Sequence, residues 1–319
     1  MMAMKKVVYA DFSLKCQNYG NHIIEFATQK MLKGKYEEVL RFDSFYYHEN
    51  GNINDTLSKV EHDFILIPGC TMYTNGQNKT LNTIDSKFEI QGFAGSIWGN
   101  NFYDKKRNYF GKVLNTKHNA QVDLEIVKKL SGIVGCRDTF TYKQLLKNNI
   151  KARYVGCPTL FLDENDLLFK NHNDDYCLFS FSRENVREQV AVAKELAKKY
   201  RVVGICHEIK DYNIIKSLGW NFPLVDYEGD VHKYLSYFLN AAFVVTGRLH
   251  GLLPSIAFNK KVIYFGNDDS RTTILDDILV QKVKLKDICS LSPQLINKDI
   301  VYDIFFESMN MQINEMFDI

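Results

Sequence analysis

The chain has 319 residues, 45% of them hydrophobic and 24% charged, with 40 basic against 38 acidic side chains and a net charge of +2. That is enough apolar material for two cores, and it excludes a disordered chain. Without a long Lys/Arg run, the charge points to neither nucleic acid nor an anionic membrane as partner, although a local cluster can still hold a small anion.

In chain order, the run KKVVYA reads as a strand, and NYGNHIIEFATQKML as a helix with Ile23, Ile24, Ala27 and Met31 at helical spacing. FILIPG, Phe64 to Gly69, is a buried strand ended by a Pro-Gly breaker. SGIVGC leads into a helix over RDTFTYKQLLKNNI, and ARYVGCPTLFL closes this half. The polar stretch DENDLLFKNHNDD, Asp163 to Asp175, marks a boundary, dividing the chain into an N-terminal unit over 1–168 and a C-terminal unit over 169–319. Beyond it YCLFSFS, RVVGIC, FPLVDY, AFVVTG and KVIYFG read as strands. They alternate with helices over RENVREQVAVAKELAKKY, HEIKDYNIIKSLG, DVHKYLSYFLNA (N-capped by Asp230) and LLPSIAFN. The fold class is therefore α/β, with two Rossmann-like domains facing a cleft and a C-terminal helix, KDIVYDIFFESMNMQINEMF, packing on one of them.

The seven cysteines include no CxxC pair, and most sit in apolar runs, so a reducing compartment is expected and neither a disulfide framework nor a metal site is. The opening MMAMKKVVYADF has too short an apolar run for a signal peptide, and no stretch of about eighteen apolar residues follows. The expectation is a cytoplasmic protein with no integral membrane segment; contact with the inner face of the membrane is left open. No P-loop, GxGxxG, GxSxG or HExxH is present, and no cofactor is expected.

The segment VVTGRLHGLLPSIAF, Val244 to Phe258, is the richest in chemistry. At the carboxyl end of a parallel strand, where ligands of open α/β sheets bind, Thr246, Arg248 and His250 would share one face of extended chain. Gly247 and Gly251 would let a ligand approach the backbone, and the helix that follows would offer free N–H groups. An arginine fork matches carboxylate or phosphate oxygens, and a histidine exchanges protons near neutral pH. The plainer alternative is an ion pair for Arg248 and a helix cap for His250.

TGRLHG followed by PSIAFNKKVIYF resembles the C-terminal signature of the polysaccharide pyruvyl transferase family. VGCRDTFTYKQLLKNNIKARYVGCPTLFL resembles that family's Arg-Asp strand end, helix and following strand, and NYGNHIIEFATQKML its opening helix start. The resemblance implies a GT-B-like pair of Rossmann domains, with the acceptor on the N-terminal side and the donor on the C-terminal side. It implies phosphoenolpyruvate as co-substrate, its three-carbon unit passing to two hydroxyls of a sugar or lipid-linked glycan as a cyclic ketal with release of phosphate. Arg137, Arg248 and Arg271 would bind the donor, and His250 would be catalytic; Arg271 stands where the family often has lysine. The chain departs from the pattern at Asn21, at IPGCT with its single Gly69, and at SIWGNN. A GT-B glycosyltransferase using a nucleotide sugar, or a non-catalytic glycan- or partner-binding relative, remain as alternative readings.

Asn18, Gly20, Asn21, His22, Gly69 and His207 are candidates to line the cleft, His207 because it follows VVGIC at another strand end. Trp98 and Phe45 to Tyr47 are weighed as sugar platforms against ordinary packing, and Arg183 as an anion contact against a helix cap. His48, His62, His118, His172 and His232 are expected in solvent.

Overall fold

The computed structural model describes residues 4–44, 52–75, 79–99, 106–107, 113–114, 122–169, 175–226, 228–267 and 269–318. The first half contains β1 (Lys5–Asp11), α1 (Tyr19–Leu32), β2 (Tyr36–Asp43), α2 (Ile53–Leu57), β3 (Phe64–Ile67), α3 (Lys79–Asn82) and β4 (Ile90–Gly92). Its strands form a parallel sheet in the order β2-β1-β3-β4. Every residue of β3 is buried, as a central strand covered on both faces requires. A short antiparallel pair, β5 (Lys106–Arg107) and β6 (Val113–Leu114), follows, then α4 (Leu124–Val127), β7 (Val134–Cys136), α5 (Thr139–Lys147) and β8 (Ala152–Tyr154). β7 and β8 pair in parallel, and bridges from Ile90 to Leu130 and from Gly95 to Cys136 set them alongside β4. Glycine at 135 is a steric necessity there, because a Cβ would lie 1.5 Å from the carbonyl oxygen of Phe93.

The second half runs β9 (Tyr176–Ser180), α6 (Val186–Leu196), β10 (Arg201–Ile205), α7 (Ile209–Ser217), β11 (Leu224–Val225), α8 (Val231–Leu239), β12 (Phe243–Thr246), α9 (Leu249–Ala257) and β13 (Lys261–Tyr264). α10 (Ile274–Asp277), β14 (Gln294–Leu295) and α11 (Lys298–Phe317) complete it. The sheet order is β11-β10-β9-β12-β13-β14, parallel except for β14. From β9 the chain winds outward through β10 and β11, then returns to the centre and winds the other way through β12 and β13. The switch point therefore lies between β9 and β12, where the crossover loops part and leave a crevice.

The two halves share buried surface. Tyr19, Ile23 and Ala27 of α1 belong to the same apolar core as Tyr234, Val244, Leu252 and Ile256, and Tyr19 stacks on Tyr234 with ring centroids 3.7 Å apart. α11 reaches that core through Val301 and Phe305, then covers the first sheet with Met309, Ile313, Met316 and Phe317 against Val7, Tyr9, Phe64 and Leu66. Burial of each such side chain contributes about 1.5–3 kcal/mol. Among the described residues no helix is long and apolar enough to cross a membrane.

Candidate active site

The crevice at the switch point is built by residues that tie neighbouring strand ends together. Thr246, the last residue of β12, donates from Oγ1 to Ser180 Oγ of β9 at 3.0 Å and accepts the N–H of Arg248 at 3.0 Å. Helix α9 begins at Leu249, earlier than the Leu252 that apolar periodicity suggests, so Arg248 is its N-cap residue and His250 sits in its first turn. Arg248 and His250 are thus presented by a helix start, and the expected common face on extended strand is replaced by helical geometry. Gly251 lets the helix approach this closely: a Cβ there would stand 2.4 Å from Thr246 Oγ1 and 2.7 Å from Ser180 Oγ. Pro254, inside the helix, has no N–H to give to the carbonyl of His250.

Arg248 is held on three sides. Its Nε donates to the Phe181 carbonyl at 2.8 Å, its Nη2 to Asp211 Oδ2 at 3.0 Å, and its Nη1 lies 3.6 Å from Glu208 Oε1. Glu208 also accepts from Arg183, from Lys210 at 3.1 Å and from the Asn18 amide at 3.3 Å. Burial opposes its ionisation, yet the Arg183 hydrogen bond and then the fields of Arg183 and Arg248 hold its carboxyl below the usual range. Arg183 therefore contacts the site through Glu208, while Asn185 is the N-cap residue of α6.

Arg137 comes from the first half. It follows β7, donates its backbone N–H to the Gly95 carbonyl at 2.9 Å, and is only 3% exposed. Its guanidinium donates to Ser96 Oγ at 3.0 Å and has no carboxylate partner among the described residues. The next residue, Asp138, caps α5 by accepting from Thr141 N–H at 2.7 Å, and burial pushes its carboxyl up to about 6 against the pull of that bond and of Arg137. Arg271 is fixed by Asp269, whose Oδ1 accepts from Nε at 3.0 Å and whose Oδ2 accepts from Nη2 at 2.5 Å. The neighbouring Ser270 accepts the Gly99 N–H at 3.1 Å and donates to the Ile97 carbonyl at 2.6 Å, which locks this loop to the first half.

His250 lies among these cations. Burial depresses its pKa well below the usual value, and the fields of Arg137, Arg271, Arg248 and Arg183 depress it further, in that order. The imidazole is neutral, and its buried Nδ1 has no hydrogen-bond partner among the described residues. Its ring rests on the start of α1, where a Cβ at Gly20 would fall 2.3 Å from Cδ2. The site is thus a seam between the halves, with Arg137 and Gly20 from one and Arg183, Arg248, His250 and Arg271 from the other.

The remaining candidates fall into two groups. Asn18 caps α1 by accepting the Gly20 N–H at 2.8 Å and reaches Glu208 across the seam. Asn21 spans two thiols, donating to Cys16 Sγ at 3.1 Å and accepting from Cys70 Sγ at 3.5 Å, and His22 Nε2 lies 2.7 Å from the Cys16 carbonyl. Gly69 and His207 lie beneath the surface. Gly69 is packed so closely that a Cβ would meet Ile24 Cγ2 at 3.2 Å. His207 is fully buried, with Nδ1 2.9 Å from Tyr234 Oη and Nε2 2.7 Å from Ser180 Oγ. It lines no cleft because both ring nitrogens are engaged; burial, then Arg248, His250 and Arg183, keep it neutral. Its carbonyl accepts the Tyr19 N–H at 3.0 Å, so it joins the start of α1 to the Ser180–Thr246–Arg248 chain.

Trp98 is half-buried, and its backbone N–H donates to Thr74 Oγ1 at 2.7 Å. His62 and His232, both expected in solvent, are half-buried: His62 stacks on Phe88 with Nδ1 2.7 Å from the Val60 carbonyl, and His232 packs edge-on against Phe26. Phe45 to Tyr47, His48, His118 and His172 lie outside the described residues. Sequence reasoning missed Ser96, Asp211 and Asp269 as anchors of the arginines. The acidic residue two before Arg271 was the one local signal available, since the other partners are distant in sequence.

Two Rossmann-like halves with a cationic seam at their strand ends define the GT-B class of architecture. Solved structures agree. A putative UDP-N-acetylglucosamine 2-epimerase from Listeria monocytogenes aligns with a TM-score of 0.57 at 10% identity, over 99% of this chain and 91% of that one. UDP-GlcNAc 2-epimerase from Neisseria meningitidis, bound to UDP-GlcNAc, aligns with a TM-score of 0.55 at 11% identity, over 97% and 93%. S. aureus MnaA with UDP gives 0.54 at 14% identity, over 98% and 91%. At such identities the likeness concerns the fold alone. No curated protein matches the sequence. The family model for polysaccharide pyruvyl transferase matches residues 18–269, and the chain belongs to that family, a family of transferases.

Proposed function

We propose that the protein transfers the pyruvyl group of phosphoenolpyruvate to two hydroxyls of a sugar in a surface polysaccharide or its precursor, forming a cyclic ketal and releasing phosphate. The observation that carries this reading is Arg137, a buried cation bonded to the Ser96 hydroxyl and in no ion pair among the described residues, in the same seam as His250, whose buried Nδ1 has no partner among them. Asp138 and Asp269 feel its charge without pairing with it, and a buried cation so placed has an anionic ligand as its natural complement. Phosphoenolpyruvate brings a carboxylate and a phosphate on one small frame, which suits Arg137, Arg248 and Arg271 acting together.

The donor would also switch the acid on. Its negative charge offsets the arginine fields that keep His250 neutral, so the imidazole takes up a proton in the complex. His250 then gives that proton to C3 of the enol, and C2 acquires oxocarbenium character. One sugar hydroxyl adds to C2, the C2–O bond to phosphate breaks, and the second hydroxyl closes the ketal. One hydroxyl proton returns to His250 and the other leaves with phosphate, so the protons balance. No other cofactor enters this scheme. The second half would hold the donor and the first half the acceptor, with Arg137 reaching across.

The fold relatives bound to UDP or UDP-GlcNAc give the competing reading, a nucleotide-sugar donor at the same seam. Calorimetric titration separates the two. Phosphoenolpyruvate should bind the wild type and not Arg248→Ala or Arg137→Met. Tight binding of a UDP- or GDP-sugar with no heat from phosphoenolpyruvate would reject the proposal.

A further inference from the structure

A second concavity, of about 570 Å³, lies along the outer edge of the second sheet, away from the arginine cluster. That volume is within the ~300–1,000 Å³ typical of small-molecule sites. Its floor is β11, the edge strand, and its walls include Tyr212 of α7 and Tyr237 of α8. Arg201, Asp226 and Glu228 also line it; Arg201 donates to Asp175 at 2.6 Å, and Glu228 accepts from Lys233. With Arg201 and Glu228 already paired, no unpaired cation among the lining residues is left to hold a phosphate or nucleotide. β11 has only two residues, too few to template an added peptide strand.

Aromatic side chains interspersed with carboxylates and an arginine match a neutral sugar. Its C–H faces pack on the tyrosine rings, its hydroxyls donate to Asp226 and Glu228, and its ring and carbonyl oxygens accept from Arg201. The groove is also wired to the seam. The Glu228 N–H donates to Tyr19 Oη at 2.9 Å, and the next residue, Gly20, touches the His250 ring.

We infer that this edge groove binds the acceptor glycan through neutral hexose or N-acetylhexosamine units removed from the reacting hydroxyls, so that the reacting sugar reaches the seam already tethered. The inference rests on the reading of the acceptor as a polysaccharide. Its test is an array of neutral and N-acetylated oligosaccharides, followed by calorimetry of each glycan that binds. Tyr212→Ala and Asp226→Asn should each weaken binding about five- to tenfold, while Tyr212→Phe, which keeps the ring, binds as the wild type does. Arg248→Ala should keep glycan affinity. Absence of any glycan binding at millimolar concentration, or hits indifferent to both groove substitutions, overturns the groove. Failure of phosphoenolpyruvate to bind while glycans still do so strikes only the donor assignment.

Discussion

Replacing Gly20 by alanine adds one methyl group where the start of α1 meets the imidazole of His250. The new Cβ would lie 2.3, 2.7 and 2.9 Å from Cδ2, Cγ and Nε2 of that ring, against an ordinary contact of 3.4 Å or more. The ring must retreat by about 1 Å, and a displacement of that size at a reacting group costs on the order of 10²-fold in rate. The backbone pulls the other way, because alanine in a helix is up to about 1 kcal/mol better than glycine. Overpacking costs about 1–3 kcal/mol, so the net change is a loss of roughly 0–3 kcal/mol. Thermal melting reads the stability, and phosphoenolpyruvate titration with single-turnover kinetics reads the site. A variant more stable by the full helical gain, with unchanged donor affinity, would refute the contact and the role built on it.

Arg137→Met should hold or raise the melting temperature, since it removes a buried cation that is in no ion pair among the described residues, while abolishing donor binding; a destabilisation above about 3 kcal/mol would mean the arginine is structural. The same substitution removes the largest charge acting on His250, so NMR titration should find that histidine's pKa raised; no movement would break the electrostatic account. Tyr234→Phe leaves His207 Nδ1 without its partner and should cost about 1–3 kcal/mol in denaturant unfolding, with weaker donor binding because Arg248 loses a brace. Glu25 gives a pH test. Burial, then the nearby Asp11 carboxylate, push its pKa up from 4.5 to about 7, so the folded state binds a proton that the unfolded state has released. That contribution is full below pH ~4.5 and is lost as pH rises towards 7, roughly 3 kcal/mol in all. The melting temperature of Glu25→Gln relative to wild type should climb between pH 5 and pH 8, and a flat difference would contradict it.

Strand ends draw attention to Arg248 and His250 because the apolar run FVVT before them is readable, whereas Arg137 and Arg271 enter only through the family resemblance. The alternation of strands and helices likewise gives the architecture, and α11 spans the stretch its periodicity predicts. What periodicity does not carry is distance. The pairing of Arg248 with Asp211, and the contact of Gly20 with His250, join residues far apart in the chain. His207 shows the limit most clearly. A strand-end position makes it a cleft candidate, but only the fold reveals that Ser180 and Tyr234 close over both nitrogens. The start of α9 was misplaced for a similar reason, since Arg248, Leu249 and His250 carry no capping signature and tertiary packing sets the first turn.

The path of α11 has a consequence for how the chain is made. The face of the first sheet formed by Val7, Tyr9, Phe64, Leu66 and Phe93 is covered by residues 309–317. During synthesis at about 5–20 residues per second, the ribosome needs roughly 10–45 s to go from Phe93 to the end of that helix. Throughout that interval the earliest strands stand with one apolar side open. A chain truncated before residue 309 would keep that apolar face without the cover that α11 provides.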